Sequence, residues 1–157
     1  MPRLLLVDSA LLHDEQQLQR ERLEALIAFS KGDWRLLFLS WQPEQWLPSR
    51  RSVDQELVFQ QQIHEQLTRW GADLDGFVYL PSPVFGRRRL RARCLSAVAK
   101  RYRLAAEAVS LLSARPQNIE AGIMAGLSVM QLASDDKRVA TVTQVQDLEQ
   151  ALARLPA

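Results

Sequence analysis

Short apolar runs that alternate with amphipathic segments are the feature that most constrains what this chain can fold into. Five runs have the length of a buried strand, at residues 4–7, 34–39, 76–80, 109–112 and 129–132. Helical spacing of hydrophobic residues marks the segments between and after them, at residues 14–30, 53–70, a stretch that ends near Tyr102, 119–125 and 145–155. Strands that alternate with helices are joined by right-handed crossovers into a parallel sheet. The sequence therefore predicts a three-layer, Rossmann-like α/β fold with about five parallel strands and helices on both faces.

Composition fits one globular domain, which we expect to span residues 1–157. Hydrophobic residues make up 47% and charged residues 24%, values that are typical of folded proteins and exclude a disordered chain. The formal net charge of +2 gives no general reason to expect nucleic-acid binding. Cys94 is the only cysteine, which excludes an internal disulfide. The first apolar run is too short for a signal peptide or a membrane span, so we expect a cytoplasmic protein without a membrane partner.

Polar residues follow the predicted strands in an order that resembles one protein family. The first strand ends in Asp8-Ser9-Ala10 and the second in Ser40-Trp41-Gln42. A later helix ends in Lys100-Arg101-Tyr102-Arg103, and the fourth strand leads into a segment that contains Ile119-Glu120-Ala121-Gly122. These motifs resemble the histidinol-phosphate and heptose-bisphosphate phosphatase branch of the haloacid-dehalogenase-like (HAD-like) superfamily over residues 3–155. The resemblance implies the HAD version of the three-layer fold.

The resemblance also implies roles for individual residues. In that branch the first strand ends in Asp-x-Asp-Gly-Thr, and its first aspartate attacks phosphorus to form an aspartyl-phosphate. Asp8 stands at this position, Ser40 stands at the phosphate-binding position after the second strand, and Arg89 lies near a lysine that holds the phosphoryl group. In such enzymes acidic residues after the fourth strand hold Mg²⁺, which prefers oxygen ligands.

Three acidic positions of the family motifs are not acidic in this chain. Ala10 replaces the aspartate that protonates the leaving group, a contribution typically worth about 10²–10⁴-fold in rate. Ala114 and Asn118 replace carboxylates on the metal side. The resemblance therefore implies a catalytically inactive domain that works as a binding or regulatory module, with no metal and no cofactor. We expect Asp135-Asp136 to form a solvated turn rather than to replace the lost ligands.

Two alternative functions remain open on the sequence. A divergent phosphatase could still use Asp8 as its nucleophile on phosphomonoesters, and it would then need Mg²⁺. An arginine cluster could instead bind phosphate or nucleic acid, because guanidinium groups pair with phosphate oxygens.

Arginines and tryptophans are the candidate binding residues. The arginines precede and open the helix that ends near Tyr102, and they are Arg87, Arg88, Arg89, Arg91 and Arg93. Cations are unfavourable at the start of a helix, so this placement indicates a use in binding. Trp41 and Trp46 follow the second strand, and tryptophan and arginine are enriched at binding hot spots. We expect both groups to flank the former active site and to bind an acidic or phosphorylated protein. Nucleic acid is less favoured because no aromatic residues interleave with the arginines.

Overall fold

A parallel sheet forms the middle layer of the fold. The structure is a computed structural model that describes residues 3–14, 17–30, 32–41, 53–70, 75–81, 87–134 and 137–156. In chain order, the strands within these ranges are β1 (Arg3–Asp8), β2 (His13–Asp14), β3 (Gln17–Leu18), β4 (Trp34–Trp41), β5 (Gly76–Leu80), β6 (Val109–Ser113), β7 (Ser128–Leu132) and β8 (Thr143–Val145). Six of them form the sheet in the order β5-β4-β1-β6-β7-β8, and every neighbouring pair is parallel. The predicted three-layer α/β fold is confirmed, with six strands rather than about five.

Helices cover both faces of this sheet. Within the described ranges they are α1 (Arg20–Ser30), α2 (Val53–Arg69), α3 (Arg88–Arg101), α4 (Pro116–Met124) and α5 (Leu148–Arg154). None of these helices is long and apolar enough to span a membrane. The expected cytoplasmic location stays a prediction.

Two elements differ from the sequence prediction. The helix expected over residues 14–30 begins only at Arg20, because β2 and β3 pair as a small antiparallel hairpin. A hydrogen bond of 2.6 Å from the Gln19 N–H to the Leu12 carbonyl closes the base of that hairpin. The second difference is β8, which lies at the edge of the sheet and has three residues. A strand of three residues shows no clear alternation of apolar and polar residues, so the sequence predicts its last residue, Val145, as part of the final helix.

Alternate residues of each central strand face two separate apolar layers. Leu5 and Val7 of β1 pack with buried residues of α1, α2 and α5. Leu4 and Leu6 pack on the other face with buried residues of α3 and α4. A strand that is buried on both faces needs apolar residues at every position, and this explains the continuous apolar runs of the sequence.

Gly122 sets how closely α4 approaches the sheet. A Cβ atom at this position would lie 2.7 Å from Cδ2 of Leu111 and 3.0 Å from Cγ2 of Val129. Real Cβ atoms essentially never come as near as the first of these distances, so only glycine fits without a shift. The tight packing fixes the position of α4, and with it Asn118, relative to the carboxyl ends of the strands.

Gly122→Ala should therefore lower the free energy of unfolding by about 1–3 kcal/mol, because Leu111 and Val129 must move to admit the methyl group. The better helix propensity of alanine, up to about 1 kcal/mol, offsets only part of this loss. Urea denaturation measures the difference. Gly32→Ala is the matched control, since a Cβ at residue 32 meets only the Phe29 carbonyl oxygen at an ordinary 3.6 Å. Equal effects of the two substitutions would contradict the close approach of α4.

Candidate functional site

The carboxyl ends of three adjacent strands bring the polar residues of the sequence motifs together. β4, β1 and β6 lie side by side in the sheet, and Ser40, Asp8 and Ser113 stand at or next to their last positions. Asn118, on the first turn of α4, reaches the same edge. Ligand sites in open parallel sheets form outside the carboxyl ends of the strands, so this edge is the candidate functional site.

Both carboxylate oxygens of Asp8 are engaged inside the protein, where the residue is 1% exposed. Oδ1 accepts a hydrogen bond of 3.0 Å from the backbone N–H of Ala10. Oδ2 accepts hydrogen bonds from the Ser113 hydroxyl at 2.7 Å and from Asn118 Nδ2 at 3.0 Å. The Arg115 guanidinium adds an ion pair, with Nε 3.5 Å from Oδ2. Burying a charge is costly unless it is paired and hydrogen-bonded, and these contacts offset that cost.

Trp41 holds two of the groups that surround Asp8. The guanidinium carbon of Arg115 lies 4.0 Å from the centroid of the Trp41 ring, within the range of a cation–π contact. The Trp41 indole N–H donates a hydrogen bond of 2.8 Å to Asn118 Oδ1, which leaves Nδ2 of the same amide to face Asp8. Asp8, Asn118, Trp41 and Arg115 thus form a closed ring of contacts, which we call the Asp8 network.

Arg115 is the member of the Asp8 network that the sequence did not predict. It lies in the loop between β6 and α4, next to Ala114, and its backbone N–H donates a hydrogen bond of 3.1 Å to the Ser113 hydroxyl. The sequence did contain a signal for this contact, because Arg115 is a basic residue in the loop that was expected to meet Asp8. Trp41 was expected as an exposed partner contact, but it is half-buried and lies against the Arg115 guanidinium.

Ser40 contacts the neighbour of Asp8 rather than Asp8 itself. Its hydroxyl oxygen lies 2.6 Å from the hydroxyl oxygen of Ser9, and both residues are buried. Ala10 follows in the short 3₁₀ turn after β1 and carries only a methyl group at the family's acid position. Ala114 packs against the apolar layer, and its carbonyl oxygen accepts a hydrogen bond of 3.1 Å from Gln131 Nε2.

The predicted arginine cluster divides into exposed and buried members. The exposed arginines, at the start of α3 and within its first turns, are Arg87, Arg88, Arg89 and Arg93. Arg88 forms an exposed ion pair with Glu120 of α4, with 3.7 Å between NH1 and Oε2. Arg91 is only 4% exposed, because helical spacing places it on the same face as the buried Leu95. Burial lowers the pKa of Arg91, against the opposing attraction of Glu120. Arg91 therefore does not take part in an exposed binding surface.

Some predicted residues lie outside the described residues. They are Trp46, Asp135 and Asp136. The expectations for them stay predictions.

Solved structures share the arrangement of strands and helices seen in this chain. A D,D-heptose 1,7-bisphosphate phosphatase from B. bronchiseptica, complexed with magnesium and phosphate, is similar with a TM-score of 0.75 and 14% identity over 97% of each chain. A protein from Mesorhizobium loti described as a HAD-like phosphatase has a TM-score of 0.68 and 14% identity over 98% of this chain and 83% of that one. The chain has a HAD-like fold. The HAD-like fold implied by the sequence resemblance is therefore confirmed.

A third similar HAD-like structure carries a different metal. It is the cobalt-bound form of deoxy-D-mannose-octulosonate 8-phosphate phosphatase from Haemophilus influenzae, with a TM-score of 0.51 and 13% identity over 85% of this chain and 70% of that one. No protein-family model and no curated protein matches the sequence. The expectation that this chain takes no cofactor is wrong for its fold, because structures similar to it bind magnesium or cobalt.

The Asp8 network offers few of the oxygen ligands that a divalent cation requires. Asp8 is the one carboxylate of the network, and the described part of the chain contains no group of three or more His, Cys, Asp or Glu side chains that could hold a metal ion. Oδ2 of Asp8 is already surrounded by donors, and the Arg115 guanidinium would repel a second cation. Magnesium does not fit this arrangement unless Arg115 first turns away from Asp8, so we derive no step through it. Assays of this protein need to supply the metal.

Asn118→Asp should make the stability of the HAD-like domain depend on divalent cations. The variant replaces a hydrogen-bond donor 3.0 Å from Asp8 Oδ2 with a second carboxylate, and like charges at this distance repel each other. We expect a loss of about 1–3 kcal/mol in metal-free buffer at pH 7. Mg²⁺ should restore part of it, because magnesium prefers carboxylate oxygens. Thermal unfolding with EDTA and with MgCl₂ measures both effects.

Asn118→Ala is the matched control for this experiment. It also removes the donor to Asp8 but adds no charge, so it should lose stability without gaining a response to Mg²⁺. Equal responses of the two variants to Mg²⁺ would show that the carboxylate pair does not form.

Proposed function

We propose that this HAD-like protein does not turn over phosphoesters and acts instead as a binding or regulatory module. The observation that carries the proposal is the engagement of both carboxylate oxygens of Asp8 by groups of the protein itself. An aspartate that serves as a nucleophile needs an oxygen lone pair directed at phosphorus. In this chain Oδ2 faces two internal hydrogen-bond donors and the Arg115 guanidinium, and Oδ1 accepts one internal hydrogen bond. The side chain is 1% exposed, so the carboxylate is directed toward the protein.

Attack by Asp8 would require these contacts to be given up. Hydrogen bonds to a carboxylate stabilise its charged form, and the Arg115 ion pair adds to that stabilisation. Interactions that stabilise the ground state without following the reacting atoms raise the barrier to the transition state. The Asp8 network therefore supports a structural use of the carboxylate rather than a chemical one.

The lack of a proton donor at the family's acid position supports the same proposal. The residue two positions after Asp8 is Ala10, and a methyl group cannot donate or accept a proton. The Ser40 hydroxyl at the same edge of the sheet is in contact with the hydroxyl of Ser9. A serine hydroxyl with an ordinary pKa is also a weak general acid near neutral pH.

We expect no hydrolysis of p-nitrophenyl phosphate above background when Mg²⁺ or Co²⁺ is supplied. The combined variant Ala10→Asp, Ala114→Asp and Asn118→Asp restores the acidic positions of the family motifs and should recover metal-dependent binding of phosphate. The corresponding single variants should recover little, because residues that act as a unit have strongly non-additive effects. Metal-dependent turnover by the natural chain that disappears in Asp8→Asn would overturn the proposal and establish the divergent-phosphatase alternative.

A surface at the start of α3 supports a binding role. Arg87, Arg88 and Arg89 are exposed at this end of the helix, and its first turn contains no acidic residue to balance the helix dipole. Leu90 lies among them with 46% exposure, so the surface combines positive charge with an apolar contact. This combination fits an acidic or phosphorylated protein segment better than RNA, since RNA-binding surfaces add aromatic side chains for base stacking. We define these four residues as the α3 surface.

The α3 surface can be tested with two probes of equal negative charge, a leucine-containing phosphoserine peptide and an oligoribonucleotide. We expect the peptide to bind more tightly than the RNA, and the triple variant Arg87→Ala/Arg88→Ala/Arg89→Ala to weaken peptide binding at least about tenfold. Fluorescence anisotropy at two salt concentrations measures both.

Arg69→Ala/Arg138→Ala is the control for a general effect of charge, because both arginines are exposed and lie elsewhere in the chain. Leu90→Ser tests the apolar contact alone and should weaken only peptide binding. Peptide affinity that is unchanged in the triple variant would rule out the α3 surface. Tighter binding of RNA, with a steep dependence on salt, would favour the nucleic-acid alternative.

A further inference from the structure

One edge of the sheet is formed by β5, whose outer side is not paired with any described strand. Its residues, Gly76–Leu80, include no charged residue and no proline. The first four of them are half-buried, whereas residues 4–7 of the central strand β1 are at most 1% exposed. An edge strand without charges or proline is a template for pairing with the backbone of another chain. β5 therefore offers an apolar strand for such pairing.

The opposite edge of the sheet is protected against pairing. β8 has three residues, and the first of them, Thr143, is exposed. The side chain of Gln144 is engaged with the loop before β8, because its Nε2 donates hydrogen bonds to Gln131 Oε1 at 2.9 Å and to the Val139 carbonyl at 3.1 Å. Short, polar edge strands discourage association. Of the two edges, only β5 combines length with an apolar sequence.

Helix α2 extends the exposed apolar surface beyond β5 itself. It connects β4 to β5, and its buried residues belong to the apolar layer on which Phe77 packs. Leu57 and Val58 of α2 are 56% and 55% exposed, the largest exposures among the described large hydrophobic residues. A single added strand would cover the edge of β5 but leave most of α2 uncovered. A partner that carries both a strand and a helix fits this surface better.

A second copy of this chain is a partner of that kind. Two-fold symmetry places the same strand and the same helix on both sides of an interface. An axis perpendicular to the sheet pairs β5 with its copy in antiparallel orientation and keeps both α2 helices on one face. The arginines at residues 87–89, which follow β5 in the chain, then lie toward opposite ends of the paired strands. Their positive charges are kept apart, which favours the antiparallel arrangement.

We propose that β5 pairs in antiparallel orientation with β5 of a second copy, so that the sheets of the two chains continue as one sheet in a homodimer. The dimer also buries exposed apolar surface of the two α2 helices. The inference does not rest on the proposed function, because no residue of the Asp8 network takes part in it.

Sedimentation equilibrium of the intact protein measures the association. We expect the mass of two chains, with a Kd for dimerisation below about 10 µM. Tyr79→Lys places a charge on the edge strand, a common protection against pairing, and should raise this Kd at least about tenfold.

Tyr79→Phe is the matched control, since it keeps the aromatic ring and should leave the Kd within about twofold of the parent. Thermal unfolding confirms that both variants are folded. A monomeric natural chain at all concentrations up to about 100 µM would overturn the proposal, as would equal dimerisation of the two variants.

Single cysteines test the antiparallel two-fold pairing itself. In such a pair one residue of β5 lies opposite its own copy, with about 4.5–5.5 Å between their Cα atoms, whereas the residues next to it lie about 7–8 Å from their copies. A disulfide requires a Cα separation of about 4.4–6.8 Å. Only a cysteine at the residue on the axis can therefore cross-link the dimer.

The variants Phe77→Cys, Val78→Cys and Tyr79→Cys are each combined with Cys94→Ser, which removes the natural cysteine. After mild oxidation, non-reducing gels should show a cross-linked dimer for one of the three and monomer for the other two. Cross-linking of none of them, or of more than one, would overturn the proposal.

Discussion

The buried carboxylate of Asp8 is the group on which the structure of the candidate functional site depends. It lies at the end of a central strand, and its partners come from the turn after β1, the end of β6, the following loop and α4. Trp41, at the end of β4, orients two of those partners. One charge therefore links three neighbouring strands and a helix at their meeting point. In a low-dielectric interior such a network is strong when complete and costly when one member is lost.

A shared fold does not by itself assign a shared chemistry, and the Asp8 network illustrates this. The similar phosphatase from B. bronchiseptica was determined with magnesium and phosphate bound, so its fold accommodates both. In the present chain a guanidinium lies beside the Asp8 carboxylate and is itself held against an indole ring. Fold similarity at 14% identity fixes the positions of strands and loops but not the charges that those loops carry. The function has to be argued from the side chains at the site.

The sequence predicted the layers of the fold well because central strands that are buried on both faces appear in it as continuous apolar runs. It missed β8 and the β2–β3 hairpin because two or three residues carry too little periodicity to read. Asp8 and Ser40 could be placed from the ends of apolar runs. The sequence also predicted that the loop over residues 113–118 meets Asp8 at this edge. It did not predict the ion pair between Arg115 and Asp8, because the direction of a side chain within a loop cannot be read from periodicity. The burial of Arg91 could have been predicted, since helical spacing places it on the same face as the buried Leu95.

A ligand site differs from a structural network in what it leaves incomplete. Groups that act on a ligand keep some of their interactions unmade until the ligand arrives, and the protein gives up some stability in return. By this criterion the Asp8 network is complete, since each charge in it has a partner inside the protein. Arg103 differs, because its side chain is exposed and has no carboxylate of the described residues near enough to pair with it. Its charge is stabilised by water, whereas the buried charge of Asp8 needs partners from the protein.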